Sequence, residues 1–172
     1  MKSFVLKEKH MSESQAHPVI KAGPVKIIFI KAEGKPYSNN IQFPTKATKY
    51  STGYDIHSAV DITIPAGKHA IVPTGLKFKI PDKAPIDFQV RSRSGLSVKR
   101  RVAVTNSPGT IDRDYTSELD IPLTNYSDED FHIKVGDRIA QMVFNQLAEV
   151  DLPQAVTLNK ERGGNDFGDS GL

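Results

Sequence analysis

The segment TNSPGTIDRDYTSEL, residues 105–119, carries the richest set of groups able to do chemistry. The pair Pro108-Gly109 predicts a hairpin turn, and Asp112 follows it between strand-like neighbours. A carboxylate there either accepts hydrogen bonds of the turn or acts as a general base that activates water. Tyr115 is interpreted either as a core residue or as a flat platform for a ring-shaped ligand.

A second segment, RSRSGLSVKRR at residues 91–101, places serines and a glycine between arginines. The hydroxyl of Ser94 and the backbone N–H groups around Gly95, flanked by Arg93, predict a cradle for phosphate. The basic run at residues 99–101 has two alternative interpretations. It is either a patch for nucleic acid or localisation, or an ordinary solvated face.

Two more segments put polar residues into strand-like surroundings. In STGYDIHSA, residues 51–59, Gly53 permits a tight turn before Asp55, which either caps that turn or belongs to a site. In GDRIAQMVF, residues 136–144, Arg138 and Gln141 interrupt an apolar strand. Such interruptions indicate side chains that face a site or an interface.

The segment RGGNDFGDSG, residues 162–171, holds four of the 12 glycines of the chain, with one arginine and one phenylalanine. Almost none of its side chains could pack into a core. The composition therefore predicts a flexible arm that carries an aromatic ring and attracts anions.

The elements that must position these residues are strands. LKFKI, residues 76–80, and FHIKV, residues 131–135, alternate apolar and polar side chains with period two, which is typical of half-buried strands. Helix is expected at most as a short turn after Gly95. Many short strands at regular spacing predict an all-β closed barrel or jelly roll, and Pro122 predicts an edge strand or a bulge. Further strands are predicted at residues 25–31, 61–64, 69–74, 86–92 and 138–147.

The whole chain sets limits on its class. Its 172 residues fit one domain with a core of its own, and the net charge of +3 suits a small anionic ligand. The absence of cysteine excludes disulfides and thiolate metal sites. No apolar run is long enough to cross a bilayer or form a signal-peptide core, so we expect an intracellular protein without a membrane partner. It would be cytoplasmic, in the host cell if viral, with the nucleus possible.

Five segments in order, GYD, RSGL, GTIDRDY, RIAQ and RGGNDFGDSG, resemble the five ordered motifs of the trimeric dUTP pyrophosphatases. The resemblance runs from about residue 21 to residue 171. It implies an eight-stranded jelly-roll-like β-barrel that forms a homotrimer with active sites at subunit interfaces. We therefore expect a disordered extension at residues 1–20, a barrel domain at 21–158 and a flexible arm at 159–172. The implied reaction splits dUTP into dUMP and pyrophosphate with Mg²⁺, and no nucleic-acid partner is expected.

The resemblance also implies roles for residues of the first four motifs. Asp112 would hold and activate the water that attacks the α-phosphorus in line, and Gln141 would lie near the α-phosphate. Asp55 would approach Mg²⁺ through the water shell of the ion, and Arg138 would support an active-site carboxylate by pairing with it. The triphosphate would be gripped by Arg93, Ser94 and Gly95.

By the same resemblance, the hairpin and the arm select the substrate. The Asn106 amide and the main chain of the hairpin, including Gly109, Thr110 and Ile111, would pair with the edge of uracil. Tyr115 would pack under the deoxyribose and exclude a 2′-hydroxyl. From a neighbouring subunit's arm, Phe167 would stack on uracil. The γ-phosphate would be gripped by Arg162 and by the backbone and hydroxyl near Gly168 and Ser170.

Some positions depart from the family pattern. Ser92 replaces a common proline, Asp166 a usual glycine and Asp169 a usual serine. A carboxylate beside a polyphosphate is repulsive, so we expect either a weaker γ-phosphate clamp or an arm that binds by a slightly altered route.

Two other functions remain as alternatives: a dCTP deaminase-like enzyme of the same fold, and a nucleotide-sensing regulatory binding protein on this scaffold. The deaminase needs a proton-shuttling glutamate at the base ring. The second motif holds none, and the third is followed by Glu118.

Overall fold

The computed structural model describes residues 25–148 and residue 150. The predicted extension at residues 1–20 and the predicted arm at 159–172 lie outside this range. The described residues form eleven short strands, one α-helix and one 3₁₀ turn at Ser38–Asn40. In chain order the elements are β1 Ile28–Lys31, β2 Tyr54–His57, β3 Ile62–Ile64, β4 His69–Val72, β5 Leu76–Lys79, β6 Ile86–Arg91, α1 Ser94–Arg100, β7 Val102–Val104, β8 Gly109–Ile111, β9 Ile121–Asn125, β10 Phe131–Ile133 and β11 Arg138–Gln146.

The strands pair antiparallel in four sheets, with the orders β1-β5, β10-β3, β2-β11-β6-β8 and β4-β9-β7. This arrangement confirms the predicted all-β, jelly-roll-like fold. Within the described residues, the hydrogen-bonded sheets do not join into one closed cylinder. Strands distant in sequence lie side by side, and β11 joins β2 to β6 at the centre of the largest sheet.

The core lies between the sheets and follows the predicted alternation. In β5, Leu76 and Phe78 are buried while the two lysines between and after them are exposed. Phe78 packs edge-on against Phe88 with ring centroids 4.7 Å apart, and Phe88 is fully buried. Burial of each such side chain contributes about 1.5–3 kcal/mol, so this cluster holds the sheets together and fixes the strands that carry the site.

Helix α1 is longer than the expected turn, since it runs for seven residues and begins at Ser94. None of its residues is buried, so the sequence lacks the apolar stripe from which a helix can be predicted. It ends at Arg101, which adopts a left-handed conformation (φ 55°) and donates its N–H to the Leu96 carbonyl.

The expectation that Pro122 marks an edge strand was wrong, because β9 is the central strand of its sheet. Within β9, Pro122 lies opposite Ile71 of β4. On the other side its carbonyl accepts the Thr105 N–H at 2.8 Å, just beyond the last residue of β7. The N–H that proline lacks would therefore face the chain just beyond the end of β7. Its absence removes no hydrogen bond from within the β7–β9 ladder.

Among the described residues, no helix combines the length and the apolar character needed to span a bilayer.

Candidate active site

Asp55 is the centre of a charged cluster at the end of the largest sheet. It lies in β2 directly opposite Gln141 of β11. Its carboxylate is only 12% exposed and accepts hydrogen bonds from Arg93 Nε at 2.9 Å and Arg138 Nη1 at 3.2 Å. Arg93 Nη1 also donates to the Arg138 carbonyl at 3.0 Å. The two guanidinium groups are thus held by one largely buried carboxylate, which gives the cluster a net positive charge.

The Gln141 side chain lies between the segment that follows β6 and the loop that precedes β2. Its Nε2 donates to the carbonyl of Ser92, the residue after β6, at 2.9 Å. A Cβ atom at Gly53 would collide with Gln141 Oε1 and lie 3.2 Å from Gln141 Cδ. Gly53 therefore leaves room for the Gln141 side chain, in addition to permitting the turn that the sequence predicted.

His57, the last residue of β2, is buried behind the same cluster. Burial lowers the pKa of its imidazole below the ordinary value, the Arg138 and Arg93 charges lower it further, and Asp55 opposes them. Within the described part of the chain, its buried Nδ1 has no hydrogen-bond partner. The imidazole is therefore held neutral and adds no positive charge to the cluster.

Ser94 and Gly95 form the exposed first turn of α1, immediately after Arg93. The first N–H groups of a helix have no acceptor within the helix, so these two amides are available to an anion. A Cβ atom at Gly95 would meet nothing within 4 Å, so the space beside it is open. The predicted phosphate-binding trio is thus assembled with an arginine on one side and free amides on the other.

An open cavity of about 490 Å³ is lined by Arg93 of this trio, whereas Ser94 and Gly95 are not among its lining residues. Arg100, Arg138 and His132 also line it, and Asp130 and Asp137 add negative charge. The cavity is large enough to hold a polyphosphate chain, and the three arginines supply charge-assisted donors for one.

The predicted hairpin at Pro108-Gly109 was wrong. The chain turns at residues 105–108, but β7 pairs with β9 and β8 pairs with β6, so the two strands leave the turn in different sheets. Gly109 lies opposite Val90 of β6, Thr110 opposite Gln89 and Ile111 opposite Phe88. A Cβ atom at Gly109 would come within 3.2 Å of the Asn106 Nδ2 atom. The Asn106 amide therefore lies close beside Gly109, where a side chain would crowd it.

Asp112 follows β8 and is exposed. It lines a second cavity of about 490 Å³ together with Asp82, Arg113 and Asp114. Near it, the Tyr115 ring stacks on Phe78 at 5.9 Å with an interplanar angle of 9°, and 36% of the residue remains exposed. The interpretation of Tyr115 as a core residue holds for the face that packs on Phe78, while its role as a platform for a ligand stays a prediction.

The structure does not bring Asp112 to the Asp55 cluster within one chain. Along β6, Arg91 lies opposite Gln141, whereas Phe88 lies opposite Ile111, the residue before Asp112. Three residues of strand correspond to roughly 10 Å, so the two halves of the predicted site are separated by at least that distance along the strand direction. The arm residues Arg162, Phe167, Gly168 and Ser170 lie outside the described residues.

The sequence did not predict two sets of hydrogen bonds. In the first, the Ser92 N–H donates to Ser107 Oγ at 3.2 Å and the Ser92 Oγ accepts the Val104 N–H at 2.9 Å, although the sequence marked Ser92 only as a departure from proline. Proline could make neither bond, so Ser92 joins the segment after β6 to the end of β7 and to the turn at residues 105–108. The second is the pairing of Glu118 with Tyr37, 81 residues away, which no local pattern could reveal.

Comparison with known proteins agrees with the five motifs. The family model described as dUTPase matches residues 39–171. A deoxyuridine 5′-triphosphate nucleotidohydrolase of Leptospira interrogans serogroup Icterohaemorrhagiae serovar copenhageni (strain Fiocruz L1-130) is 43% identical over 136 residues, which cover 77% of this chain and 92% of the relative.

Solved structures agree as well. A mutant dUTPase of Staphylococcus bacteriophage 80alpha, in a structure with dUpNHpp, is 26% identical with a TM-score of 0.69, covering 86% of this chain and 99% of the other. A mutant dUTPase from phage phi11 of S. aureus, described with a structural Mg(II) ion, has a TM-score of 0.66 at 22% identity, covering 77% and 97%. The second likeness supports the fold alone.

Proposed function

This chain belongs to the dUTPase family, and from that premise we propose that it hydrolyses dUTP to dUMP and pyrophosphate. The observation that carries the proposal is the assembly of Arg93 with the open amides of Ser94 and Gly95, beside the Asp55–Arg138 pair. This surface is suited to bind a chain of phosphates. The reaction removes dUTP and supplies dUMP for dTMP synthesis.

In the proposed mechanism, Asp112 is the general base. Its exposed carboxylate accepts a proton from the attacking water, and the water oxygen forms a bond to the α-phosphorus as the bond to the pyrophosphate oxygen breaks. A positioned base of this kind contributes about 10²–10⁴ in rate. Gln141, held by the Ser92 carbonyl, orients the α-phosphate, and Arg93 stabilises the negative charge on the phosphates.

The proposed site is completed by neighbouring subunits of a homotrimer. The separation of Asp112 from the Asp55 cluster supports this proposal, because residues that lie apart in one chain could meet at one substrate between two subunits. The segment from Asn106 to Asp112 of one subunit would face Arg93, Ser94 and Gly95 of the next. The arm at residues 159–172, with Arg162, Phe167, Gly168 and Ser170, would then cover the bound nucleotide and exclude water.

The residues present fit Mg²⁺ bound mainly by substrate. Among the described residues, no three His, Asp or Glu side chains cluster as a metal site, and both Asp55 oxygens already accept hydrogen bonds from arginines. Mg²⁺ favours phosphate oxygens and retained waters, so Asp55 would meet the ion through its water shell. When bound, the ion neutralises triphosphate charge.

Uracil selection is proposed to arise in the segment from Asn106 to Ile111. The Asn106 amide lies close beside Gly109 and carries both donors and an acceptor, which supports pairing with uracil. A base that mismatches this edge leaves buried polar groups unpaired, at a cost of about 1–3 kcal/mol. The exposed part of the Tyr115 ring would lie under the deoxyribose and exclude a 2′-hydroxyl.

The structure disfavours the deaminase alternative. The Glu118 carboxylate accepts hydrogen bonds from the Tyr37 hydroxyl and the Gly75 N–H. A carboxylate engaged in this way is not free to shuttle protons at a base ring.

The test is a pyrophosphate-release assay across dUTP, dCTP, dTTP and UTP, with and without Mg²⁺, beside a mass measurement in solution. We expect rapid release from dUTP alone, only with Mg²⁺, and a mass three times that of the chain. Intact dUTP in the presence of Mg²⁺, or equal consumption of dTTP, contradicts the proposed function. A monomeric mass with full activity contradicts the shared site.

A further inference from the structure

Glu118 makes an unusual set of contacts for a residue outside the proposed catalytic groups. Its half-buried carboxylate accepts the Tyr37 hydroxyl at 2.9 Å and 3.0 Å and the Gly75 N–H at 2.7 Å. Tyr37 belongs to the loop before β2, so the carboxylate joins two segments that are far apart in sequence. Such hydrogen bonds to a charged group are stronger than those between neutral groups.

The groups that hold Glu118 are themselves fixed. Gly75 has φ +69°, a conformation that favours glycine, and it packs so closely against Ile41 that a Cβ atom would collide. This packing fixes the direction in which the Gly75 N–H points. On either side, Leu119 donates its N–H to the Leu76 carbonyl at 2.8 Å, and Thr74 Oγ1 donates to the Leu119 carbonyl at 2.6 Å. Glu118 is therefore anchored to a rigid part of the core.

The backbone of Glu118 in turn holds Tyr115. The Tyr115 hydroxyl donates to the Glu118 carbonyl at 2.8 Å, while its ring stacks on Phe78. Burial raises the pKa of Tyr115, and burial with the hydrogen bond to Glu118 raises the pKa of Tyr37 to about 12. Both phenols therefore keep their protons, and both hydrogen bonds persist at neutral pH.

We propose that Glu118 and Tyr37 form a positioning pair that fixes the Tyr115 ring against the sugar and thereby sets the preference for deoxyribose over ribose. The carboxylate holds the backbone of residue 118, and that backbone holds the ring through its hydroxyl. Neither residue touches the substrate. The inference rests on the proposed function, because it assigns the exposed part of Tyr115 to the sugar.

The test compares kcat/KM for dUTP with kcat/KM for UTP in Glu118→Ala, Glu118→Gln and Tyr37→Phe. We expect the ratio to fall about tenfold in Glu118→Ala, the equivalent of one lost charge-assisted hydrogen bond. Tyr37→Phe shows a smaller fall in the same direction. Glu118→Gln keeps an oxygen for the Gly75 N–H and stays within about twofold. KM for dUTP rises, while kcat changes less than about twofold because Asp112 is untouched.

Tyr126→Phe is the matched control, since Tyr126 is 55% exposed and lies outside this set of contacts. It leaves the ratio unchanged. An unaltered ratio in folded Glu118→Ala overturns the proposal, and so does an equal loss in Glu118→Gln. Should Glu118→Ala fail to fold, Tyr37→Phe decides by the same ratio.

Binding separates this proposal from the proposed function. Calorimetry with dUMP and UMP measures the sugar preference without hydrolysis. A wild type that leaves dUTP intact but prefers dUMP, with the preference lost in Tyr37→Phe, refutes the hydrolase and supports the positioning pair. A wild type with no preference for dUMP overturns the pair.

Discussion

Gly53→Ala tests whether the close approach of the loop before β2 positions Gln141. The new methyl group would collide with Gln141 Oε1 and lie 3.2 Å from its Cδ and Cβ. Because Oε1 ends a flexible side chain, rotation of Gln141 relieves most of the collision without a shift of the backbone. That rotation breaks the bond from Gln141 Nε2 to the Ser92 carbonyl.

The cost follows from these contacts. The lost hydrogen bond is worth about 0.5–1.5 kcal/mol, and a strained rotamer adds about 0.5–1.5 kcal/mol. Alanine also reduces the entropy of the unfolded chain, a gain of about 0.4–1 kcal/mol that applies whatever occupies position 141. Because this gain offsets part of the cost of about 2 kcal/mol, we expect the free energy of unfolding to fall by about 1–1.5 kcal/mol, which lowers Tm by about 2–6 °C for a chain of this length.

A double-mutant cycle with Gln141→Ala isolates the collision from that background gain. Denaturant unfolding of Gly53→Ala, Gln141→Ala, the double variant and the wild type, at one protein concentration, gives the coupling free energy. In the Gln141→Ala background, Gly53→Ala costs less than about 0.5 kcal/mol, and it causes no further loss of kcat. Equal destabilisation by Gly53→Ala in both backgrounds would refute the reasoning.

Three other substitutions have defined outcomes. Asp112→Asn lowers kcat by about 10²–10⁴ with Tm unchanged, because the carboxylate is exposed; a loss below tenfold in the pyrophosphate assay contradicts its role as base. Asp169→Ser, outside the described residues, lowers KM for dUTP by up to about fivefold; an unchanged KM argues against repulsion in the arm. Burial and then the Glu118 charge raise the pKa of Asp120, so its ionised form opposes folding. Asp120→Asn therefore matches wild type at acidic pH and gains about 1–2 °C in Tm as pH rises through that raised pKa, and an advantage that shrank with rising pH would contradict the sign.

Much of the fold could be predicted because strand alternation is local. LKFKI and FHIKV were predicted as half-buried strands, and β5 and β10 confirm them. The predicted ends of the strands were less accurate, because a strand extends only as far as its pairing with a neighbouring strand. For example, β1 begins at Ile28, where its pairing with Lys79 of β5 begins, and not at residue 25. The length of helix α1 was predicted too short because none of its residues is buried. Pro122 was wrongly predicted to mark an edge strand, because only the strand register shows that its missing N–H lies where β7 ends.

Part of the candidate site could likewise be predicted from the sequence, and part could not. The residue types of the five motifs identified the family, and the comparisons confirm it. They also predicted that Arg138 pairs with a carboxylate, and the contact of Arg138 with Asp55 agrees. The role of Ser92 and the pairing of Glu118 with Tyr37 could not be predicted, because each depends on which segments the packing brings together.

By itself, the order of amino acids determined which chemical groups are available and which faces of the strands are apolar. These properties belong to each residue and its near neighbours. Only the tertiary structure decided that one carboxylate holds two arginines, that Asp112 lies apart from them, and that the Tyr115 ring stacks on Phe78. Such distances depend on how the sheets pack, and packing is set by contacts between segments tens of residues apart.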